Sequence, residues 1–431
     1  MRGDRAGGVA LALGTVGALA WANWPGSSYR HAWGTVAPWS SSLGLRLTLR
    51  DWVDQGLLLV FFLLVGLEIR REATAGELAS WRRAALPVMA ALSGMLVPAG
   101  IYAAVTAGSP AARGWGIPMA TDVAFALGAL ALVGARSMPR LRVFLMTLAV
   151  ADDIFSVVVL VCFYSAGVRA AWLVAALLVL AVTVVLRLRV DRAGPLVVAL
   201  GAAAWLALLH AGVEAAVVGV AVGLLAPPVH RPHRAPARRA RFAHVVAGTG
   251  ARRWELRLGP WVNVVILPVF ALANAGVALS GSGLGTAQGL RVFAAVVVAR
   301  VAGKPLGIAA ARWATARLQT DGASSPVRGR ALVGLGATAS VGFTIPLLVV
   351  RAAFQDGPLA SGAIAGLLAA SVLGWALALA VLRDGAAGGT VSEPPVPGRG
   401  RPGATAGTPG RRRGGRPASP AGTADGSRRP R

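Results

Sequence analysis

The sequence predicts an all-α polytopic membrane protein. Of its 431 residues, 55% are hydrophobic and only 14% are charged, and the mean hydropathy is +0.64. Soluble domains carry about a quarter charged residues, so this composition excludes an ordinary soluble protein. About twelve apolar segments approach the roughly 20 residues that a helix needs to cross a bilayer. They are residues 8–24, 52–69, 85–106, 117–134, 143–165, 170–187, 194–209, 212–227, 261–279, 292–311, 331–350 and 359–382.

The net charge of +26 is distributed among loops and does not lie along one folded face. Arginines are concentrated in the loops that follow the second, fourth, sixth, eighth and tenth spans, and the stretch from Arg231 to Arg257 is the richest. By the positive-inside rule these loops and both termini are cytoplasmic. The charge therefore sets membrane topology, and nucleic-acid binding is the weaker interpretation.

The two ends of the chain have their own signatures. Residues 1–22 resemble a signal peptide with a basic start, but reading them as the first span gives an even number of crossings, which agrees with basic termini. Residues 384–431 are rich in Arg, Gly and Pro and lack periodicity, which predicts a disordered cytoplasmic tail after a transmembrane domain of residues 1–383. The arginines at 411–413 favour either contact with anionic membrane lipids or a solvated tail without a role.

Ionisable residues within predicted spans are few and grouped. Asp122 lies in the fourth span, Asp152 and Asp153 lie in the fifth, and Arg300 and Lys304 lie in the tenth. Charges at bilayer depth are costly and usually mark a transport pathway. Lys304 is the single lysine of the chain. A buried ammonium can lose its proton in the physiological range whereas a guanidinium stays protonated, so this position is typical of proton-coupled chemistry.

The adjacent aspartates suggest one site with two tasks. Consecutive helical residues point about 100° apart, so Asp152 and Asp153 can face different partners. Two carboxylates in one low-dielectric site release their protons in coupled steps. A hard cation prefers oxygen ligands and would compete with protons for the same groups. That competition is the minimal physics of cation/proton exchange.

Two spans carry signs of an interruption. In the fourth, Pro118 bends the chain and Thr121-Asp122 has the character of a cap that starts a new half-helix over 123–133. In the eleventh, residues 334–346 combine glycines, hydroxyls and a proline. Interrupted spans in corresponding halves predict inverted repeats, with two broken, crossing helices and a binding site at the midplane.

These motifs resemble the NhaA family of bacterial sodium/proton antiporters over roughly residues 8–383. The matching pieces are FFLLVGLE at 61–68, ATDVAFALG at 120–128, ADD at 151–153, LANAG at 272–276, GKPLG at 303–307 and GFT at 342–344. The resemblance implies an electrogenic exchanger of the cytoplasmic (inner) membrane that exports Na⁺ or Li⁺ in exchange for H⁺ and serves pH and sodium homeostasis. It also implies alternating access, a domain that often forms homodimers, and no cofactor beyond the transported ions.

The resemblance assigns roles residue by residue. Asp153 would be the main cation ligand, and Asp152 would share the site and pair with Lys304 in the proton-loaded state. Asp122 with Thr121 would lie where the broken helices cross, facing their positive ends, and Lys304 would offset the facing negative ends. In the cytoplasmic funnel the implied residues are Glu68 and Glu255, and Glu214 occupies a position linked to the pH response.

Four positions depart from the family pattern. Arg300 stands where an apolar residue is usual, and either repels the charge of Lys304 or snorkels to an interface. Glu214 replaces a common histidine, Gln55 follows Asp54 in place of an Asn-Asp pair, and Pro346 replaces a serine.

Two other functions stay open from sequence. A sodium-coupled solute symporter can share the broken helices but would need a wide cavity, and a divergent membrane protein without transport would account for Arg300 and Pro346. An enzyme is not expected, because the five histidines and one cysteine form no metal spacing or catalytic triad.

Overall fold

The structure, a computed structural model, describes residues 2–122, 126, 139–165, 167–189, 194–226, 251–277, 284–318, 330–354 and 357–387. Within these ranges every regular element is helical, and the one strand-like pairing is an isolated antiparallel bridge between Val36 and Thr48. The predicted all-α fold class is confirmed.

The described α-helices are numbered here in chain order. They are α1 Arg2–Ala22, α2 Tyr29–Gly34, α3 Leu49–Asp51, α4 Leu58–Ala75, α5 Trp81–Thr106, α6 Pro139–Tyr164, α7 Ala170–Arg189, α8 Gly194–Ala211, α9 Val218–Leu224, α10 Ala251–Trp261, α11 Leu267–Asn274, α12 Ala287–Val298, α13 Lys304–Leu318, α14 Arg330–Ala339, α15 Thr344–Ala353 and α16 Pro358–Ala387. Three π-helical segments join consecutive helices: Trp52–Leu57, Val262–Ile266 and Ala299–Gly303.

Seven helices within the described ranges are long and apolar enough to cross a membrane. They are Leu49–Thr74, Ala84–Thr106, Val143–Tyr164, Ala170–Arg187, Arg253–Asn274, Ala287–Thr315 and Pro358–Leu382. A bent pair, Leu332–Ala339 with Thr344–Ala353, raises the number to eight. These eight agree in position with predicted spans. Shorter apolar helices lie at three further predicted spans: Ala6–Ala22, Pro195–Ala211 and Ala215–Leu224.

The predicted fourth span behaves differently from the others. Its described part is not an α-helix: Trp115–Met119 form turns after a 3₁₀ helix, Pro110–Gly114, and residues 120–122 have no regular secondary structure. The predicted half-helix 123–133 lies outside the described residues except for Ala126, which is helical. The chain therefore reaches Asp122 in non-helical form, as an interruption at this point requires.

Two other sequence predictions fall largely outside the described residues. The arginine-rich loop between the eighth and ninth spans is described only from residue 251 onward, where α10 begins. The tail was predicted to begin at 384, but α16 continues to Ala387, and residues 388–431 lie outside the described part of the chain.

Helices α4 and α9 approach each other through glycines. A methyl group on Gly219 would collide with the carbonyl oxygen of Leu59, and one on Gly223 would lie 2.6 Å from the carbonyl oxygen of Leu63. Small residues at such contacts allow two backbones in a membrane to pack closely, where the hydrophobic effect gives helices no reason to associate. This contact holds α4, which carries Glu68, against its neighbour.

We expect Gly219→Ala to lower the stability of the protein by on the order of 1–3 kcal/mol, because the added methyl forces α9 away from α4. The control is Gly100→Ala in α5, since a methyl group there meets no atom within 4 Å. Thermal unfolding of both variants in detergent, followed by tryptophan fluorescence, measures the effect. Equal unfolding temperatures would contradict the importance of this contact.

The eleventh predicted span is interrupted as expected. Its two helices, α14 and α15, are bent by 50° at residues 340–343. The Thr338 and Ser340 hydroxyls donate to the carbonyl oxygens three residues earlier, Leu335 and Ala337, which offers the backbone polar partners at the end of α14. Pro346 lies in the first turn of α15, where an N–H has no helical acceptor to lose. The proline therefore fits the start of a helix, and the departure from serine does not break it.

Candidate functional site

The non-helical segments of the two interrupted regions contact each other. The Asp122 N–H donates to the carbonyl oxygen of Val341 at 3.0 Å, and the Thr344 hydroxyl donates to Asp122 Oδ2 at 2.8 Å. We call residues 120–122 and 340–344 the junction. Asp122 and Thr344 are both buried, so these bonds form away from solvent. Asp122 thus lies at the N-terminal end of α15, where the helix dipole favours a negative charge.

Asp152 and Lys304 form a buried ion pair beside the junction. Lys304 Nζ lies 2.8 Å from Asp152 Oδ2, and the two residues are 1% and 0% exposed. Thr121 completes a triangle, because its Oγ1 lies 2.5 Å from Asp152 Oδ2 and 2.9 Å from Lys304 Nζ. Charges this deeply buried are tolerated only when paired and hydrogen-bonded. The structure therefore brings together the carboxylate, hydroxyl and amine that the sequence picked out.

One oxygen of Asp152 accepts no hydrogen bond from the described part of the chain. Oδ1 is buried and, among the residues that the structure describes, none donates to it. A buried unsatisfied acceptor is costly, so native proteins usually supply it with a water, an ion or a proton.

Asp153 faces a cavity. It is 4% exposed and lines a cavity of about 210 Å³, together with Thr121, Asp122 and Thr344 from the junction. The two neighbours on α6 therefore have different partners, as the 100° rotation between consecutive residues predicts. Asp152 faces a cation, and Asp153 faces open space.

Charged residues of α4 and α10 line the same cavity. Glu68, Arg71 and Glu255 all contribute to its wall, and Arg71 Nη1 lies 3.2 Å from Glu255 Oε2. The two glutamates predicted for the funnel therefore share one cavity with Asp153. Their part in transport stays a prediction.

Glu214 lies elsewhere. It precedes a 3₁₀ helix, Ala215–Val217, whose first N–H donates to Gln55 Oε1 at 2.8 Å. Glu214 is absent from the lining of the cavity described above. Its Oε1 is buried and accepts no hydrogen bond from any described residue. The structure thus separates Glu214 from Glu68 and Glu255, and the pH role implied for it stays a prediction.

The same region contains a polar cluster that sequence reasoning passed over. Asn274 Nδ2 donates to Asp54 Oδ1 at 2.7 Å, and Arg351 Nε lies 3.2 Å from Asn274 Oδ1. Asp54 and Asn274 are both buried. Asp54 sits within the π segment Trp52–Leu57, and an aspartate in an apolar span was the available signal.

Arg300 does not snorkel. It is 0% exposed, and its guanidinium donates only to backbone oxygens in the hydrogen bonds described: Ser340 at 2.8 Å, Ala120 at 2.8 Å and Ile117 at 3.4 Å. The interfacial position considered from sequence is wrong, because the carbonyls of the junction hold this side chain in the interior. Sequence spacing alone gave no indication of these acceptors.

Within the described ranges no group of three or more His, Cys, Asp and Glu side chains is arranged to hold a metal ion. A transported monovalent cation would instead have carboxylate, hydroxyl and backbone oxygens, with water from the cavity, which are ligands that hard cations accept.

Comparison with known proteins gives a consistent result. A family model described as Na+/H+ antiporter 1 matches residues 1–382. The Na(+)/H(+) antiporter NhaA of Acidovorax sp. (strain JS42) is 42% identical over 369 residues, covering 84% of this chain and 85% of its own. The Na(+)/H(+) antiporter NhaA 2 of Frankia alni is 40% identical over 412 residues, covering 94% of this chain and 82% of its own.

A third relative is longer. The Na(+)/H(+) antiporter NhaA 1 of Salinispora arenicola is 41% identical over 369 residues, which is 81% of this chain, and the match spans 56% of that protein. Family model and relatives agree over the region that contains the junction, Asp152, Asp153 and Lys304. The chain therefore belongs to the NhaA family of Na⁺/H⁺ antiporters, multi-pass membrane proteins that are transporters and not enzymes.

Proposed function

We propose that this protein is an electrogenic Na⁺(Li⁺)/H⁺ antiporter that exports sodium in exchange for protons. The observation that carries the proposal is the buried Asp152–Lys304 pair beside Asp153, whose carboxylate opens into a cavity. In this arrangement protons and a cation have access to the same carboxylates. Its physiological task would be pH and sodium homeostasis.

The exchange cycle follows from the electrostatics of the pair. With Asp152 paired to Lys304 and Asp153 protonated, these three side chains carry no net negative charge, so they attract a cation only weakly. When the lysine and Asp153 lose their protons, the two adjacent carboxylates, of which Asp153 lines the cavity, are no longer neutralised and attract Na⁺ or Li⁺. Binding of the cation and binding of protons then exclude each other.

Charge balance supports the electrogenic form. If Asp153 and the Asp152–Lys304 pair together release two protons for each monovalent cation that binds, every cycle moves one net charge across the membrane. A membrane potential would then drive export, at about 2.3 kcal/mol per elementary charge per 100 mV.

The remaining features of the proposal concern the membrane. We place the protein in the bacterial cytoplasmic membrane among lipids, with twelve spans in inverted repeats, both termini cytoplasmic, and homodimers formed by a domain outside the core. The arginine-rich loops support this orientation. Contact between residues 120–122 and 340–344 supports a crossing of the broken fourth and eleventh spans near the midplane.

The size of the cavity favours antiport over solute symport. Sites that bury organic ligands usually enclose about 300–1,000 Å³. The cavity at Asp153 is smaller, about 210 Å³, and is suited to hydrated ions. The family match also weighs against the view of a membrane protein without transport.

Everted membrane vesicles test the proposal. Vesicles are energised to be acid inside, a pH-sensitive dye reports the gradient, and sodium, lithium and potassium are added in turn over a range of pH. We expect sodium or lithium to collapse the gradient with the wild-type protein and not with the Asp152→Asn/Asp153→Asn variant. No response at any pH, from protein shown to be folded in the membrane, would contradict antiport.

A further inference from the structure

Arg300 occupies the centre of the junction. Its Nε donates to the Ser340 carbonyl oxygen, just past the end of α14, and its Nη2 donates to the Ala120 carbonyl oxygen, where the other segment begins. One guanidinium therefore contacts both segments from a third span. Ser340 is 40 residues and Ala120 is 180 residues from Arg300 in sequence, so both contacts are tertiary and not local.

The surroundings are built closely around this side chain. A methyl group on Gly342 would collide with both Arg300 Nη2 and the Ala120 carbonyl oxygen. Position 342 thus needs a glycine for the guanidinium and both backbone segments to meet. The guanidinium is therefore closely packed against both backbone segments.

The acceptors explain why a positive charge is stable here. Carbonyl oxygens at the end of an α-helix carry partial negative charge, and those at an interruption have lost their helical donors. In lipid, such groups are tolerated only where the protein satisfies them. A guanidinium presents several N–H donors in a rigid fork and keeps its charge, so one side chain satisfies carbonyls from two directions.

Lys304 has a different set of partners. Its Nζ contacts Asp152 and Thr121, and no hydrogen bond from it to a junction carbonyl is described. The two cations of this span are thus divided between two tasks. Arg300 faces the carbonyls, and Lys304 faces the carboxylate.

We propose that Arg300 is a positioning residue that fixes the junction through the Ala120 and Ser340 carbonyls, and so holds Thr121 and Asp122 in place for cation binding. Lys304 is then left free to exchange its proton with the Asp152 site, because it is not needed to neutralise the ends of the interrupted segments. The transport part of this inference rests on the proposed antiport function.

The test compares three variants on one span: Arg300→Met, Arg300→Lys and Arg291→Met. Arg291 is the matched control, because it also donates to backbone carbonyls, those of Val105 and Ala107, but is exposed. Each purified protein is reconstituted in proteoliposomes, and the apparent KM for sodium and the maximal rate are measured separately. Thermal unfolding is followed in detergent.

We expect Arg300→Met to raise the apparent KM for sodium by on the order of tenfold or more, since misplaced binding groups weaken the site. Arg300→Lys keeps the charge but loses the fork, so its KM should lie between those of the wild type and Arg300→Met. Arg291→Met should leave KM unchanged. If Arg300 only stabilised the fold, Arg300→Met would lower the maximal rate, because less active protein would remain, and its KM for sodium would equal that of the wild type.

A wild-type KM in folded Arg300→Met would overturn the proposal. If Arg300→Met fails to fold, Arg300→Lys and Gly342→Ala carry the same test, and a wild-type KM in both would overturn it. If the wild-type protein itself exchanges no sodium, the antiport function fails separately. In that case the unfolding temperatures test the positioning role of Arg300. Arg300→Met should unfold several degrees below Arg291→Met, and equal temperatures would refute the positioning role.

Discussion

Replacing Asp153 by asparagine should abolish sodium-dependent proton movement. The carboxylate is 4% exposed and lines the cavity, so a cation in the cavity can contact it directly. Asparagine keeps the size and one acceptor oxygen but carries no charge and binds no exchangeable proton. Both halves of the exchange are therefore lost at once, and we expect activity to fall by about 100-fold or more, the loss typical of removing a central charged group.

Everted vesicles with matched protein levels provide this measurement. Glu72→Gln is the control, because Glu72 is an acidic residue of α4 that pairs with Arg71 and does not line the cavity. It should retain most of the exchange. Full activity of Asp153→Asn over the whole pH range would remove Asp153 from the site.

Asp152→Asn should have the second large effect, and it should act on stability as well as on transport. The substitution leaves the Lys304 amine, 1% exposed, without its carboxylate partner. Removing one member of a buried ion pair costs about 3–5 kcal/mol, chiefly because the remaining charge is stranded in a low dielectric. The coupled protons are lost too, because the pair no longer exists.

A comparison of Asp152→Asn with a double variant separates the effect on stability from the effect on transport. Asp152→Asn/Lys304→Met removes the stranded charge, so its thermal stability in detergent should exceed that of Asp152→Asn alone, while transport stays absent. Sodium/proton exchange at the wild-type level in Asp152→Asn would refute the shared site. Equal stabilities of the single and double variants would refute the buried pair.

The position of the site could be predicted from sequence because its features are local. Adjacent aspartates in an apolar helix must point in different directions, and the structure gives Asp152 and Asp153 different surroundings. The single lysine likewise indicated where the cationic partner of Asp152 lies. The apolar length of each helix predicted most spans in the same way.

What sequence could not provide are contacts set by tertiary packing. The acceptors of Arg300 are backbone oxygens, which every residue has, so nothing in the pattern of side chains marks them. The resemblance linked Glu214 to the pH response but did not place it, and in the structure it lies beside Gln55 and outside the cavity that Glu68 and Glu255 line. Residues 117–119 were included in the fourth predicted span because they are apolar, but turns form there.

The π turn at Ala299–Gly303 determines the direction in which Lys304 points. A π turn contains one residue more than the α-helix it interrupts. If residues 299–303 took up regular α form without a change in their number, the extra residue would rotate everything after it by about 100° relative to α12. Lys304, the first residue after this segment, would then turn away from Asp152 although no residue of the pair had changed. The alignment of the amine with its carboxylate thus depends on the wide turn of the backbone at 299–303 as well as on the two side chains.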